Sequence, residues 1–179
     1  MSYRLLSSFT DPILPLEVLE HVIGFVGFDV DGEEWGTHKK LETLQICALV
    51  CRSWVAKSRF LLYEVVNLNN KRKATNFINT IASSPRLGEY VQDLRMNLKG
   101  KHEDWIYSAH QVLPSLLPNL YRLEHHQLPS LHSVFFTLSP QFKIITSLRL
   151  SMFKSWTFRE IARLLNGFPN LKKNVGGRL

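Results

Sequence analysis

The 179-residue sequence has few of the residues that build covalent or metal-stabilised scaffolds. It contains two cysteines, Cys47 and Cys51, which lie four positions apart in one apolar run. Even if joined, this pair would not link distant parts of the chain, which excludes a disulfide scaffold. Two cysteines are also too few for a multi-cysteine zinc module. We expect both to be buried, because free cysteine behaves as a small apolar residue.

The motifs of common active sites are absent as well. The sequence has no H-E-x-x-H, no phosphate-binding G-x-x-x-x-G-K-[ST], no G-x-S-x-G and no dinucleotide-binding glycine fingerprint. Its seven histidines show no ligand spacing, and the neighbours His125 and His126 would point to opposite faces of a strand. We therefore predict that the protein is not an enzyme and holds no metal or cofactor.

Long hydrophobic runs are also missing. No run approaches the roughly 18 apolar residues that a membrane helix needs. The N-terminal apolar segment is too short for a secretory signal, which predicts an intracellular protein of the cytoplasm or nucleus. The 45% hydrophobic content is nevertheless typical of a globular protein.

The positive charge of the chain is dispersed. The formal net charge is +7, but the basic residues form only short groups such as Lys71-Arg72-Lys73 and Lys172-Lys173. Aromatic residues do not alternate with them, as a stacking platform for bases requires. This pattern argues against nucleic acid as a partner, although a basic chain leaves that hypothesis open to a salt-dependence test.

Two helical segments dominate the N-terminal third. After a tail at residues 1–12, Pro15 suits a first helical position, and an apolar stripe follows at helical spacing. Residues 27–40 are polar and glycine-containing, which predicts a loop. A second helical stretch begins at Leu41 and continues through Trp54, either as two helices or as one bent helix.

This region resembles the F-box, over residues 13–63. The first signature is Leu14-Pro15-x-Glu17-Val18-Leu19-x-x-x-Ile23, and the second is Leu44-x-x-Cys47-Ala48-Leu49-Val50-Cys51-Arg52-Ser53-Trp54, followed by Leu62-Tyr63. The long acidic loop at 27–40 departs from the tighter connection of many F-boxes. The resemblance implies a helical module that docks on the Skp-type adaptor of a cullin–RING ubiquitin ligase.

Residues 64–179 have a repeating pattern of short strands and helices. If Val66, Leu94, Leu123, Leu148 and Asn174 are equivalent, successive strands are 28, 29, 25 and 26 residues apart. Such a period is typical of leucine-rich repeats. The region resembles the degenerate repeats that follow the F-box in many fungal proteins. The predicted fold class is α+β, with a small N-terminal helical F-box and a partial β/α solenoid. The glycines after Asn174 replace a capping repeat, so we expect this region to be incomplete at its C-terminal end.

The resemblance implies a substrate receptor whose F-box contacts the adaptor, and through it a cullin scaffold, while the repeats present an unidentified protein substrate. The residues carried over as adaptor-binding are Leu14, Pro15, Leu16, Leu19, Ile23, Leu49, Val50, Cys51 and Trp54. Trp54 is the strongest candidate for an interface anchor. Some of the aliphatic residues are equally suited to packing the helices together. The alternative is a non-ligase interaction scaffold with an F-box-like helical cap.

Overall fold

The computed structural model describes residues 15–27, 34–97, 104–126, 136, 141–151 and 157–172. The chain divides into two compact units, Met1–Leu62 and Tyr63–Leu179. Within the described ranges, no helix combines the length and the apolar character needed to cross a membrane. Leu14 and Asn174 lie outside the described residues.

The described part of the first unit contains three helices. Helix α1 spans Leu16–Gly27, α2 spans Glu34–Val50, and α3 spans Arg52–Glu64, its last two residues belonging to the second unit. Helices α1 and α2 pack against each other. The prediction of a loop over 27–40 is wrong from Glu34 onward, where α2 has already begun. The helical stretch beyond Leu41 is interrupted at Cys51 and therefore forms two helices.

The second unit alternates strands and helices. Its described elements are β1 Val65–Leu68, α4 Lys71–Ser83, a 3-10 helix Pro85–Tyr90, β2 Asp93–Asn97, α5 Asp104–Leu116, β3 Arg122–His126, β4 Ser147–Ser151 and α6 Phe158–Asn166. The strands form one parallel sheet in the order β1-β2-β3-β4. Helices combined with this sheet agree with the α+β class.

The register of the sheet matches the predicted repeat. Val66 pairs with Leu94, Leu94 with Leu123, and Leu123 with Leu148. The equivalence of these four positions is therefore confirmed. Strand side chains alternate between two faces, so one row of partners shares one face.

One face of the sheet carries the core of the second unit. Leu94, Met96 and Leu123 are fully buried there, together with Ala109 and Leu113 from α5. Helix α6 adds Leu164, and the segment before β4 adds Phe142 and Ile145. This burial explains why the strand sequences are apolar at alternate positions.

Polar side chains define where two of the helices begin. Asn70 precedes α4, and its side chain accepts a hydrogen bond from the Lys73 backbone N–H at 2.9 Å. Thr157 precedes α6 and forms a capping box with Glu160, in which each side chain accepts from the other residue's backbone N–H. Such caps satisfy backbone donors that have no partner within the helix.

Successive repeats are joined by two equivalent Pro-Asn turns, Pro118-Asn119 and Pro169-Asn170. The Asn119 side chain donates to the Glu89 carbonyl at 2.7 Å, and Asn170 donates to the Lys143 carbonyl at 2.6 Å. Glu89 and Lys143 occupy equivalent positions in the sequence. Glu89 lies five residues before Leu94, and Lys143 lies five residues before Leu148, which is equivalent to Leu94 in the register. After the second turn, the Lys172 N–H donates to the Thr146 carbonyl at 2.9 Å.

Candidate functional site

The predicted adaptor-binding residues fall into several environments. Pro15, Leu49, Val50 and Cys51 are exposed, Trp54 is half-buried, and Ile23 is buried. Leu16 and Leu19 lie on α1, but their side chains are outside the described part of the structure. The burial of Ile23 favours a packing role for this residue. Its contact with an adaptor remains a prediction.

Helix α2 has apolar residues on two faces. Leu44 and Cys47 are buried. Ile46, Leu49 and Val50, which we call the α2 stripe, are 58%, 86% and 60% exposed. Residues three and four positions apart share a helix face, so the α2 stripe is one continuous apolar surface. The residues of the buried face pack inside the first unit, whereas those of the second apolar face are in contact with solvent.

Helix α1 shows a similar division. Ile23 is buried, whereas Val18, Val22 and Phe25 are exposed at spacings of four and three residues. We call these three residues the α1 stripe. Phe25 was not among the predicted site residues, although its spacing from Val18 and Val22 was a readable signal. The ring of His21 lies 6.4 Å from that of Phe25, measured between centroids.

Cys51 is the single residue between α2 and α3. Its thiol lies 3.0 Å from the Ser53 hydroxyl, and its carbonyl accepts from the Trp54 N–H at 3.2 Å. The hydrogen bond with Ser53 lowers the pKa of the Cys51 thiol, and backbone N–H groups of Trp54 and Ser53 add to the effect. The prediction that both cysteines are buried is correct for Cys47 and wrong for Cys51. Because the helix is interrupted at Cys51, the two thiols do not lie on one shared helix face.

The face of the sheet opposite the core is charged. Among its side chains are six acidic or basic ones, which we together call the polar sheet face: Asp93, Arg95, Arg122, Glu124, His126 and Arg149. They occupy alternate strand positions, out of phase with the buried leucines. Sequence reasoning assigned no role to them, although the alternation in Asp93-x-Arg95 and Arg122-x-Glu124 was a visible signal.

Two buried carboxylates connect the polar sheet face. Asp93 Oδ2 lies 3.1 Å from Arg95 Nη2 and 3.6 Å from Arg122 Nη1. Glu124 lies 3.5 Å from Arg95 Nε and 3.5 Å from Arg149 Nη1. Each carboxylate is therefore ion-paired with two arginines.

His126 extends this network to β4. Its Nε2 lies 3.1 Å from Glu124 Oε1, and its Nδ1 lies 2.6 Å from the Ser151 hydroxyl. An imidazole that donates from Nε2 to the carboxylate can accept from Ser151 at Nδ1. The side chains across β2, β3 and β4 are thus held in one hydrogen-bonded array.

Two histidines are buried among the apolar residues of the core. His125 of β3 stacks on His110 of α5 with centroids 5.1 Å apart, and the edge of Phe142 approaches His110 at 5.4 Å. His110 also contacts the Ile106 carbonyl through Nδ1 at 2.9 Å. Desolvation lowers the pKa of His110 to about 4 and lowers that of His125 well below its ordinary value. Both rings are therefore neutral at pH 7.

The described residues contain no cluster of three or more histidine, cysteine, aspartate or glutamate side chains that would hold a metal ion. The described residues instead form exposed surfaces, which are the α1 stripe and the α2 stripe in the first unit and the polar sheet face in the second. Comparison with protein-family models, curated proteins and solved structures finds no match. Function has to be inferred from these surfaces.

Proposed function

We propose that the protein is a substrate receptor of a cullin–RING ubiquitin ligase, in which the first unit docks on a Skp-type adaptor. The observation that carries this proposal is the exposed α2 stripe, and above all the 86% exposure of Leu49. Leu49 and Val50 belong to the second of the two signatures that resemble the F-box. Contiguous exposed apolar residues mark sites of protein–protein contact.

The size of the apolar surface fits such a role. Complete burial of one large aliphatic side chain contributes about 1.5–3 kcal/mol, before the entropic cost of association is subtracted. The α2 stripe offers three such side chains, and half-buried Trp54 lies four residues beyond Val50. Tryptophan is among the residues that most often dominate the energy of an interface.

We assign the second unit to substrate presentation on a solenoid of the leucine-rich-repeat kind. The parallel sheet, its register at steps of 28, 29 and 25 residues, and the two equivalent Pro-Asn turns support this assignment. Each unit of such a solenoid buries its apolar face against its neighbours and leaves one sheet face open to a partner.

The proposal is tested by capture of a purified Skp-type adaptor on the immobilised full chain. We expect Leu49→Ala combined with Val50→Ala to reduce capture at least tenfold, because the variant removes most of the α2 stripe. The matched control is Phe158→Ala on α6, since Phe158 is also 86% exposed. Far-UV circular dichroism should be unchanged in both variants.

Two outcomes would contradict the proposal. If the unaltered chain does not capture the adaptor, the first unit is not an F-box, and the scaffold alternative takes its place. If the α2 variant and Phe158→Ala reduce capture equally, the docking surface has been assigned to the wrong residues.

A further inference from the structure

The exposure of charged groups on the polar sheet face is uneven. The side chains of Asp93 and Glu124 are each 5% exposed, whereas those of Arg95, Arg122 and Arg149 are 33%, 47% and 72% exposed. The negative charges are therefore buried beneath the positive ones. A partner that approaches this face meets guanidinium groups first.

The charges also fail to cancel. Three arginines share two carboxylates, which leaves one positive charge in excess. Arg149 touches Glu124 through a single nitrogen at 3.5 Å, although a guanidinium carries five N–H donors in a planar fork. Most of the hydrogen-bonding capacity of Arg149 is directed at solvent.

Each of these arginines is paired with a buried carboxylate, Arg122 with Asp93 at 3.6 Å and Arg149 with Glu124 at 3.5 Å. Arg95 is held between Asp93 and Glu124, so its guanidinium is oriented by two acceptors. Arg95 and Arg149 pair with Glu124 from its two sides in the strand register, which places their backbones two strand spacings, or about 10 Å, apart. Arginines oriented in advance lose less freedom when they bind a carboxylate, and they bind it through two parallel hydrogen bonds.

From this arrangement we infer that the polar sheet face binds an acidic peptide segment, whose aspartate or glutamate side chains pair with Arg122 and Arg149. The inference rests on the proposed function only in taking that segment to be part of a protein substrate. Charge complementarity selects the ligand, because the exposed groups of this face are cationic and the anionic ones are covered.

The test is a direct binding measurement on the purified full chain without any adaptor. The probe is a fluorescein-labelled peptide of alternating glutamate and aspartate, and the reference is a peptide of equal length with glutamine and asparagine. We expect the acidic peptide to bind at least tenfold more tightly at low ionic strength, and its advantage to shrink in high salt because exposed charges are screened.

Two pairs of arginine substitutions test whether the acidic peptide binds at Arg122 and Arg149. Arg122→Gln with Arg149→Gln should weaken binding of the acidic peptide at least tenfold. Arg159→Gln with Arg86→Gln is the matched control, because it removes the same charge from exposed arginines elsewhere in the second unit and should change affinity less than twofold. The control should keep the thermal midpoint of the unaltered chain, whereas Arg122→Gln with Arg149→Gln should lower it, because each buried carboxylate then keeps Arg95 as its one arginine partner. Binding is therefore measured at a temperature at which both variants are folded.

Several results would overturn the inference. Equal binding of the acidic and neutral peptides would remove it, and equal losses in both double variants would show that only the net charge of +7 attracts the probe. Tenfold tighter binding of a phosphoserine peptide or of a single-stranded oligonucleotide would reassign the face to that ligand. Because no adaptor is present, failure here leaves the α2 stripe to its own test.

Discussion

Leu49 and Leu123 show how differently the two units use the same residue. Leu49 is 86% exposed on α2, whereas Leu123 is completely buried in the central part of the sheet. In the second unit apolar side chains occupy one sheet face, and the opposite face carries charge. In the first unit both α1 and α2 have apolar residues on a second, exposed face. Apolar composition alone therefore does not separate residues that fold the protein from residues available to a partner. What separates them is the position of each residue in the helical or strand periodicity, because that position decides the face on which its side chain lies.

The largest expected effect comes from truncating Leu123, and the matched truncation of Leu49 should have almost none. Leu123→Ala should lower the free energy of unfolding by about 2–5 kcal/mol, because it leaves a cavity in a packed core. Leu49→Ala should change it by less than about 0.5 kcal/mol, as expected for an exposed site. Urea denaturation of both variants measures the difference. Similar losses would show that Leu49 packs against part of the protein and is not a free surface residue.

The second prediction concerns pH and is specific to the second unit. Both His110 and His125 have a lowered pKa in the folded state, so below pH 6.5 the unfolded chain binds protons that the folded chain does not. The stabilisation is complete above pH 6.5 and is lost as the pH falls, for His110 down to about 4. The loss is about 1 kcal/mol for each histidine and each pH unit.

Denaturant titrations at pH 7, 6 and 5 measure this slope. His125→Leu is the informative variant, because Met96 and Leu150 are the register partners of His125 and leucine suits the same row. We expect the variant to remain folded at pH 7 and to lose less stability on acidification. An unchanged slope would mean that other groups cause the acid sensitivity.

The third prediction compares two glycines. A methyl group on Gly88 would overlap the carbonyl oxygen of Leu116, where the 3-10 helix meets α5, whereas a methyl group on Gly24 meets nothing within 4 Å. Gly88→Ala should therefore cost about 1–3 kcal/mol. Gly24→Ala should stabilise α1 by up to about 1 kcal/mol, because alanine favours a helix. Thermal denaturation measures both, and a stabilised Gly88→Ala would contradict the packing described for this site.

The strands were predictable because two independent signals agree on them. Val66, Leu94, Leu123 and Leu148 recur at a regular period, and apolar residues alternate around each. Alternation fixes which face a residue occupies, and the period fixes which residues are partners. Helix α4 begins at Lys71, because Asn70 caps it. Capping is a local signal and was present in the sequence.

The start of α2 and the position of Cys51 were not predictable in the same way. Residues 34–40 are polar and include Gly36, so their composition indicated a loop although they form the first two turns of α2. Cys47 and Cys51 would share one face of an unbroken helix, but the interruption at Cys51 removes that relation. His125 occupies a position of the inward row where an apolar residue is expected, and its stacking on His110 depends on a contact between elements that spacing does not reveal.

The Pro-Asn turns at Asn119 and Asn170 have a consequence for how this architecture can grow. Each turn contains an asparagine whose side-chain amide donates a hydrogen bond to a backbone carbonyl of the preceding repeat. The joint between two repeats is therefore encoded in the later one. A tandem duplication that begins at such a turn copies its own joint and leaves the earlier joints undisturbed, since each repeat contacts only its neighbours. Addition of one more strand–helix unit, 25 to 29 residues long as in the sheet register, would therefore require no compensating change in the earlier joints.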